Sequence, residues 1–100
     1  MIRIETNKKN NKYTKITFKD HANYDKYGKD IVCAAVSSIV TTTINDILSL
    51  DDEAIKYVDK DGYILITNED SEIADKLLNN MLCMLNDLAN DYPKNIKIGG

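Results

Sequence analysis

The sequence predicts an α+β fold, a two-layer sandwich in which two helices pack on one face of a mainly antiparallel sheet. Three observations lead to this prediction. Two pairs of short segments have the pattern of β-hairpins, and two longer segments repeat apolar residues at helical spacing. The length of 100 residues, with 43% hydrophobic and 29% charged composition, suits one globular domain. We therefore expect a single domain over residues 1–100, with elements in the order ββαββα and an optional last strand.

The opening segments predict the first hairpin. Ile2 and Ile4 alternate with polar neighbours, and after a polar stretch over residues 6–12 the alternation returns at residues 13–18, where Ile16 and Phe18 share one face. Residues 19–29 have no sustained apolar period, which predicts a polar loop. Gly28 stands alone near its end, as a hinge or a static turn before the next element.

A first helix is predicted from about residue 31 to residues 48–50, with Asp30 as its N-cap. Its β-branched run at residues 40–44 has low helix propensity, so packing must stabilise it. One stripe can be buried by residues at three-and-four spacing: Val32, Ala35, Val36, Ile39, Val40, Thr43, Ile44 and Ile47.

The second half repeats the ββα order. Segments 54–58 and 63–67 lean towards strands and flank an Asp61-Gly62 pair, which is a strong hairpin signal. A second helix, capped by Asp70 or Ser71, should end before Pro93. Ile96 and Ile98 predict the optional strand. The apolar face of this helix comprises Ile73, Ala74, Leu77, Leu78, Met81, Met84, Leu85 and Leu88.

Composition excludes several classes of protein. One histidine and two cysteines cannot supply the four ligands of a structural zinc site, so we expect no metal and no other cofactor. No exported leader is evident, which favours the cytoplasm and reduced thiols. The longest apolar run, residues 31–36, is far short of the roughly 20 needed to span a bilayer, so we expect no membrane partner. The net charge of −3 argues against direct nucleic-acid binding, although acidic proteins can carry basic patches.

Cys33 and His21 are the candidate chemical residues. With Asp30 as N-cap, Cys33 falls in the first helical turn, where the dipole and unbonded N–H groups favour a thiolate. In such apolar surroundings a buried structural cysteine is the commoner case. His21 stands 12 residues upstream in the loop and could act as general base towards the thiol, or be simply solvated. Asp30 could orient the imidazole as well as cap the helix. Cys83 projects away from the apolar stripe of the second helix, so we do not expect it to be catalytic.

The stretch from His21 to Ser37 resembles the signature of the ribosomal-processing cysteine protease family, called Prp. The match lies in His-Ala followed by Gly-Lys-Asp-Ile-Val-Cys-Ala-Ala-Val-Ser, and the closing Pro-x-x-Ile-x-Ile segment extends it over essentially the whole chain. The resemblance implies a cysteine endopeptidase and homodimer that removes the N-terminal extension of a bacterial large-subunit ribosomal protein. Its implied roles are nucleophile for Cys33, general base for His21, a near-site position for Ser37, and a mobile loop containing Asp20, Ala22 and Gly28.

One departure from the family pattern is Asp20, where the family usually has glycine before the histidine. Aspartate lacks the backbone freedom of glycine, but its carboxylate would favour a protonated imidazole. Two other functions stay open. A non-catalytic dimeric ribosome-assembly binding module would keep Cys33 merely packed. A redox sensor pairing Cys33 with Cys83 is a weaker alternative, because the sequence has no Cys-x-x-Cys.

Overall fold

A computed structural model describes the backbone of residues 1–20, 26–60 and 62–99. Over these ranges the chain follows the predicted order ββαββα, and the optional strand is present. The elements are β1 (Ile2–Lys9), β2 (Lys12–Asp20), α1 (Lys26–Leu50), β3 (Ile55–Lys60), β4 (Tyr63–Asn68), α2 (Glu72–Asp91) and β5 (Ile96–Gly99).

The strands form one sheet in the order β3-β4-β2-β1-β5. The first three junctions are antiparallel, whereas β5 runs parallel to β1. The chain is bonded to β1 one residue before β5 begins, since the N–H of Ile2 donates to the carbonyl of Asn95 at 2.8 Å. The prediction of a mainly antiparallel sheet in an α+β fold is confirmed.

One face of the sheet and both helices build a single core. Strand residues of one parity are buried together with one stripe from each helix, so both helices cover the same face. In the described part of the chain the opposite face carries no helix. The core residues include Ile2, Ile4, Ile16, Phe18, Ile66 and Ile96 from the sheet, Val32, Val36, Val40, Ile44 and Ile47 from α1, and Ala74, Leu78, Met81, Leu82 and Leu85 from α2.

The first hairpin is longer than the apolar alternation predicts. Pairing continues to Lys9 opposite Lys12, and the connection is made by Asn10 and Asn11 with φ of 53° and 65°. Asparagine tolerates this left-handed conformation, which tight hairpin turns require. The sequence does not predict the ends of β1 and β2 next to the turn, because their exposed residues show no apolar alternation. In the second hairpin Gly62 has φ 70°, in keeping with the predicted turn, while Asp61 lies outside the described residues.

Helix α2 begins and ends as the sequence predicts. Of the two candidate caps, Ser71 is the N-cap, since its side chain accepts a hydrogen bond from the N–H of Ala74 at 3.1 Å. Asp70 precedes it with φ 60°. The helix ends at Asp91, before Pro93.

The loop predicted over residues 19–29 is shorter in the structure, because β2 ends later and α1 begins earlier than the sequence predicts. Helix α1 begins at Lys26, so Gly28 is its third residue and Asp30 its fifth, and Asp30 is not the N-cap. Asp20 is the last residue of β2, paired with Ile2, and is not a loop residue. Residues 26–29 present no apolar stripe, so periodicity could not detect this first turn of helix. A glycine inside a helix costs only about 1 kcal/mol relative to alanine.

The outer surface of α1 has no charged side chain between Ile31 and Asn45. By length and composition Ile31–Leu50 could cross a membrane, although only 28% of that window is buried within the molecule. The longest unbroken apolar run, residues 31–36, understates this length, because uncharged serine and threonine interrupt the run. The expectation of no membrane partner stays a prediction. Core helices of water-soluble proteins share this length and composition, so the property assigns no location to the protein.

Candidate active site

Cys33 is the eighth residue of α1 and is half-buried. It packs against the margin of the core, between fully buried Val32 and small, exposed Ala34. Only the first four N–H groups of a helix lack an intrahelical partner, and the dipole effect fades beyond the first turn. The expected activation of Cys33 by a helix N-terminus is therefore wrong, because the thiol does not lie in the first turn of α1.

A cavity of about 410 Å³ opens beside Cys33 at the end of the sheet where β2 stops and β4 starts. Its size is at the lower end of the range for ligand sites and suits a few side chains of a peptide. Three parts of the fold build the walls: α1, the paired ends of β1 and β2, and the β3–β4 hairpin. The lining residues are Ile2, Phe18, Lys19, Cys33, Val36, Ser37, Asp59, Lys60, Gly62, Tyr63 and Ile64.

Ser37 lies one helical turn after Cys33 and lines the same cavity. Residues four apart in a helix share a face, which explains why the two side chains border one space. Ser37 is exposed, so its hydroxyl is accessible from the cavity. The structure thus places this predicted near-site residue beside the candidate nucleophile.

The cavity has charged walls that sequence reasoning missed. Lys19 and Lys60 border it together with Asp59, and cations near a cysteine favour the thiolate. Lys19 also contacts Glu5, with Nζ 3.6 Å from a carboxylate oxygen. The signal available in the sequence was the Asp-Gly turn, whose hairpin register places Lys60 opposite Tyr63.

His21 and Ala22 lie outside the described residues. In the sequence His21 comes directly after Asp20, the last residue of β2, and two positions after Lys19 on the cavity wall. The chain therefore enters the segment that contains His21 from the end of the sheet at which Cys33 is found. The contact between His21 and Cys33 stays a prediction.

Asp30 has a second predicted role that the corrected helix start does not remove. Its backbone lies three residues before Cys33 within α1, and residues three apart are neighbours on a helix surface. Orientation of the imidazole by Asp30 stays a prediction.

Cys83 is exposed on α2 and does not line the cavity. The buried stripe of that helix consists of its neighbours, including Leu82 and Leu85. Among residues 1–20, 26–60 and 62–99, no three His, Cys, Asp or Glu side chains are grouped so as to hold a metal ion. The described cavity is lined by one thiol, the hydroxyl of Ser37, two ammonium groups and the carboxylate of Asp59.

Comparison with sequences of known proteins identifies one family. The model of the cysteine protease Prp family matches residues 1–97. The ribosomal processing cysteine protease Prp of Staphylococcus aureus (strain Mu50 / ATCC 700699) is 33% identical over 91 residues, which cover 87% of this chain and 86% of the relative. The protein of the same name from strain NCTC 8325 / PS 47 matches equally.

Comparison with solved structures identifies the same family. The essential ribosomal processing protease Prp from S. aureus, in complex with a substrate peptide, superposes with a TM-score of 0.90 at 28% identity, covering 99% of this chain and 98% of that one. Its complex with a covalently linked product peptide gives 0.87 at 29% identity, with the same coverage. A Streptococcus mutans structure at 24% identity, with a TM-score of 0.78 and coverage of 98% and 91%, shares the fold. This chain belongs to the cysteine protease Prp family.

Proposed function

We propose that this protein is a cysteine endopeptidase that removes the N-terminal extension of a bacterial large-subunit ribosomal protein, with Cys33 as nucleophile and His21 as general base. The observation that carries the proposal is the position of Cys33 on the wall of a peptide-sized cavity in a chain of the Prp family. Relatives of this chain are named ribosomal processing proteases and have been solved with substrate and product peptides.

The proposed reaction proceeds through an acyl-enzyme. His21 takes the thiol proton of Cys33, and the thiolate attacks the scissile carbonyl carbon to form a tetrahedral intermediate. His21 then gives that proton to the leaving amine, which departs with the C-terminal part of the substrate. A water molecule, deprotonated by His21, hydrolyses the thioester and releases the new carboxylate. A product peptide covalently linked to a relative supports such a nucleophilic route.

The position of Cys33 inside α1 limits which groups can stabilise the oxyanion. Its own N–H belongs to the interior of the helical hydrogen-bond ladder, unlike an N–H at a helix start. A donor must therefore come from another group at the cavity. We assign this role to the hydroxyl of Ser37, the exposed donor on the same wall.

Homodimer formation is part of the proposal and is supported by the surface of α1. No charged residue occurs between Ile31 and Asn45, and Ile31 is 64% exposed. Exposed small and uncharged side chains, including Ala34, Thr41 and Thr42, cover this side of the helix. An exposed helix surface that carries no charge suits contact with a second copy of the chain. We place the dimer in the cytoplasm, where ribosomal proteins are made.

The test is cleavage of the ribosomal protein precursor by purified variants. Cys33→Ala and His21→Ala should each lower the rate by about a thousandfold or more, because removal of either partner disables proton transfer or attack. Cys83→Ala is the matched control and should cleave at the wild-type rate. Circular dichroism establishes that each variant is folded. Cleavage retained by Cys33→Ala would exclude the thiol mechanism, and cleavage retained by His21→Ala would exclude the assigned base.

A further inference from the structure

A row of five side chains crosses all five strands on the sheet face that carries no helix in the described part of the chain. Directly opposite residues of neighbouring strands point to the same side of a sheet. The registers place Lys60 opposite Tyr63, Tyr63 opposite Lys19, Lys19 opposite Arg3, and Arg3 opposite Lys97. We call these four basic residues, together with Tyr63, the cation row.

The rest of this face adds positive charge and an apolar strip. Leu65 on β4 lies opposite Val58 on β3, and this pair is next to the cation row. Val58 is 41% exposed. Outside the irregular end of the first hairpin, the described residues of this face include six basic side chains and one acidic side chain, in a protein whose net charge is −3. These are Arg3, Lys15, Lys19, Lys56, Lys60 and Lys97, with Glu5 as the acid.

Opposed like charges destabilise an isolated sheet. Neighbouring strands are about 4.8 Å apart, so Lys19, Arg3 and Lys97 hold three positive charges in successive positions. Among the described carboxylates, Glu5 pairs with Lys19 at 3.6 Å, and none forms an ion pair with Arg3, Lys60 or Lys97. Because so few carboxylates neutralise this line of cations, an anionic chain lying along it would relieve the repulsion between the charges.

We propose that this sheet face binds single-stranded RNA, with phosphates along the cation row and bases on Tyr63 and the apolar pair Val58 and Leu65. Five strands span about 19 Å, which corresponds to about three nucleotides. A line of cations beside an aromatic ring and apolar side chains suits a chain of alternating phosphates and flat bases. An acidic peptide would pair with the charges but would leave Tyr63 and the apolar strip without stacking partners.

The cation row borders the cavity that contains Cys33. Lys19, Lys60 and Tyr63 belong to both, whereas Arg3 and Lys97 lie farther along the row and do not line the cavity. Bound RNA would therefore run from the sheet face to the cavity rim. RNA binding does not depend on the protease reaction, and Arg3 and Lys97 allow it to be tested separately.

The experiment measures fluorescence anisotropy of a labelled oligouridine of about a dozen nucleotides at about 50 mM salt. Wild-type protein should bind with a Kd in the micromolar range. Arg3→Gln/Lys97→Gln should weaken binding about tenfold and reduce the slope of log K against log salt by about 1.4, because each phosphate contact contributes about 0.7. The control Lys76→Gln/Lys94→Gln removes the same charge outside the row, from α2 and from the turn before β5, and should change Kd less than about twofold.

Further measurements separate loss of binding from loss of folding. The charge-conserving Arg3→Lys/Lys97→Arg variant should bind as wild type does. Arg3→Gln/Lys97→Gln should keep its thermal midpoint and its cleavage rate on a short peptide, since neither residue lines the cavity. No RNA binding by wild type at about 100 μM, or equal binding by both glutamine variants, would overturn the proposal. Row-dependent binding of polyglutamate or anionic vesicles that is stronger than RNA binding would overturn it in favour of another partner.

Discussion

The side chain of Asn68 and the backbone of Ser71 are hydrogen-bonded to each other in both directions. The N–H of Ser71 donates to Oδ1 of Asn68 at 2.9 Å, and Nδ2 of Asn68 donates to the carbonyl of Ser71 at 3.1 Å. The same amide nitrogen donates to the carbonyl of Tyr13 at 3.1 Å. Asn68 therefore joins the end of β4, the cap of α2 and the neighbouring β2 through one buried side chain that is 8% exposed.

Replacement of Asn68 by alanine should lower the free energy of unfolding by about 2–3 kcal/mol. The substitution leaves polar groups of Ser71 and Tyr13 without their partner, and each part-buried unsatisfied group costs about 1 kcal/mol or more. Urea denaturation measures the change. Asn79→Ala, at an exposed position of α2, is the control and should be neutral or slightly stabilising. A loss under about 0.5 kcal/mol for Asn68→Ala would show that solvent replaces these bonds.

Ser37→Ala should lower kcat by about a hundredfold with little change in KM. The reason is that an oxyanion donor binds the transition state more strongly than the ground state. Steady-state kinetics on a peptide substrate provides both constants. Ser38→Ala removes the adjacent hydroxyl, which does not line the cavity, and should leave kcat unchanged. Equal effects of the two substitutions would contradict the assignment of Ser37.

Cys33 should react with iodoacetamide faster than Cys83 near pH 6.5, despite being the less exposed thiol. An ordinary thiol has a pKa near 8.5 and is therefore almost wholly protonated at pH 6.5. A thiol paired with a base forms thiolate more readily. Mass spectrometry of tryptic peptides gives both rates in one sample. In His21→Ala the reaction of Cys33 should slow while that of Cys83 stays unchanged, because only Cys33 loses its base. Faster reaction of Cys83 in the wild-type protein would contradict activation of Cys33.

Thr41→Lys should convert the proposed homodimer to a monomer. A lysine at this exposed position of α1 would bring two charges together on the uncharged surface of the pair. Light scattering coupled to size-exclusion chromatography measures the mass. Asn86→Lys, on an exposed position of α2, should keep the dimer. A wild-type protein that is monomeric and sediments with neutral lipid vesicles would show that the uncharged face of α1 contacts a membrane instead.

The sequence predicts elements well where one face is buried and poorly where it is not. The predicted stripe of α2 is correct at its centre, where Leu78, Met81 and Leu85 lie at helical spacing and are buried. It is wrong at its margins, because Ile73 is 51% exposed, Met84 is 46% exposed, and Leu82 is buried instead. The first turn of α1 was missed because no buried stripe continues into it. The sequence identifies Cys33 as a candidate nucleophile. It does not predict the surroundings of the thiol, because these depend on where α1 begins.

The cavity walls and the cation row depend on which strands become neighbours. Lys19 and Lys60 are 41 positions apart in the sequence and are brought to the same cavity by the placement of β2 beside β4. Local periodicity predicts that each strand exists but not which edge pairs with which, because pairing is decided by packing of the whole sheet. The two hairpins were therefore predictable, whereas the junction between them was not.

The pairing of Ile2 with Ile96 means that translation and competence to cleave are separated in time. Ile2 is part of the cavity wall, and its strand is held at the sheet edge by a partner made 94 residues later. At about 5–20 residues per second, a nascent chain spends several seconds with β1 made but β5 absent. During that interval the sheet lacks one edge and the wall containing Ile2 is unsupported. A half-synthesised copy should therefore be unable to trim the proteins around it, and processing should begin only after the edge strand has left the ribosome.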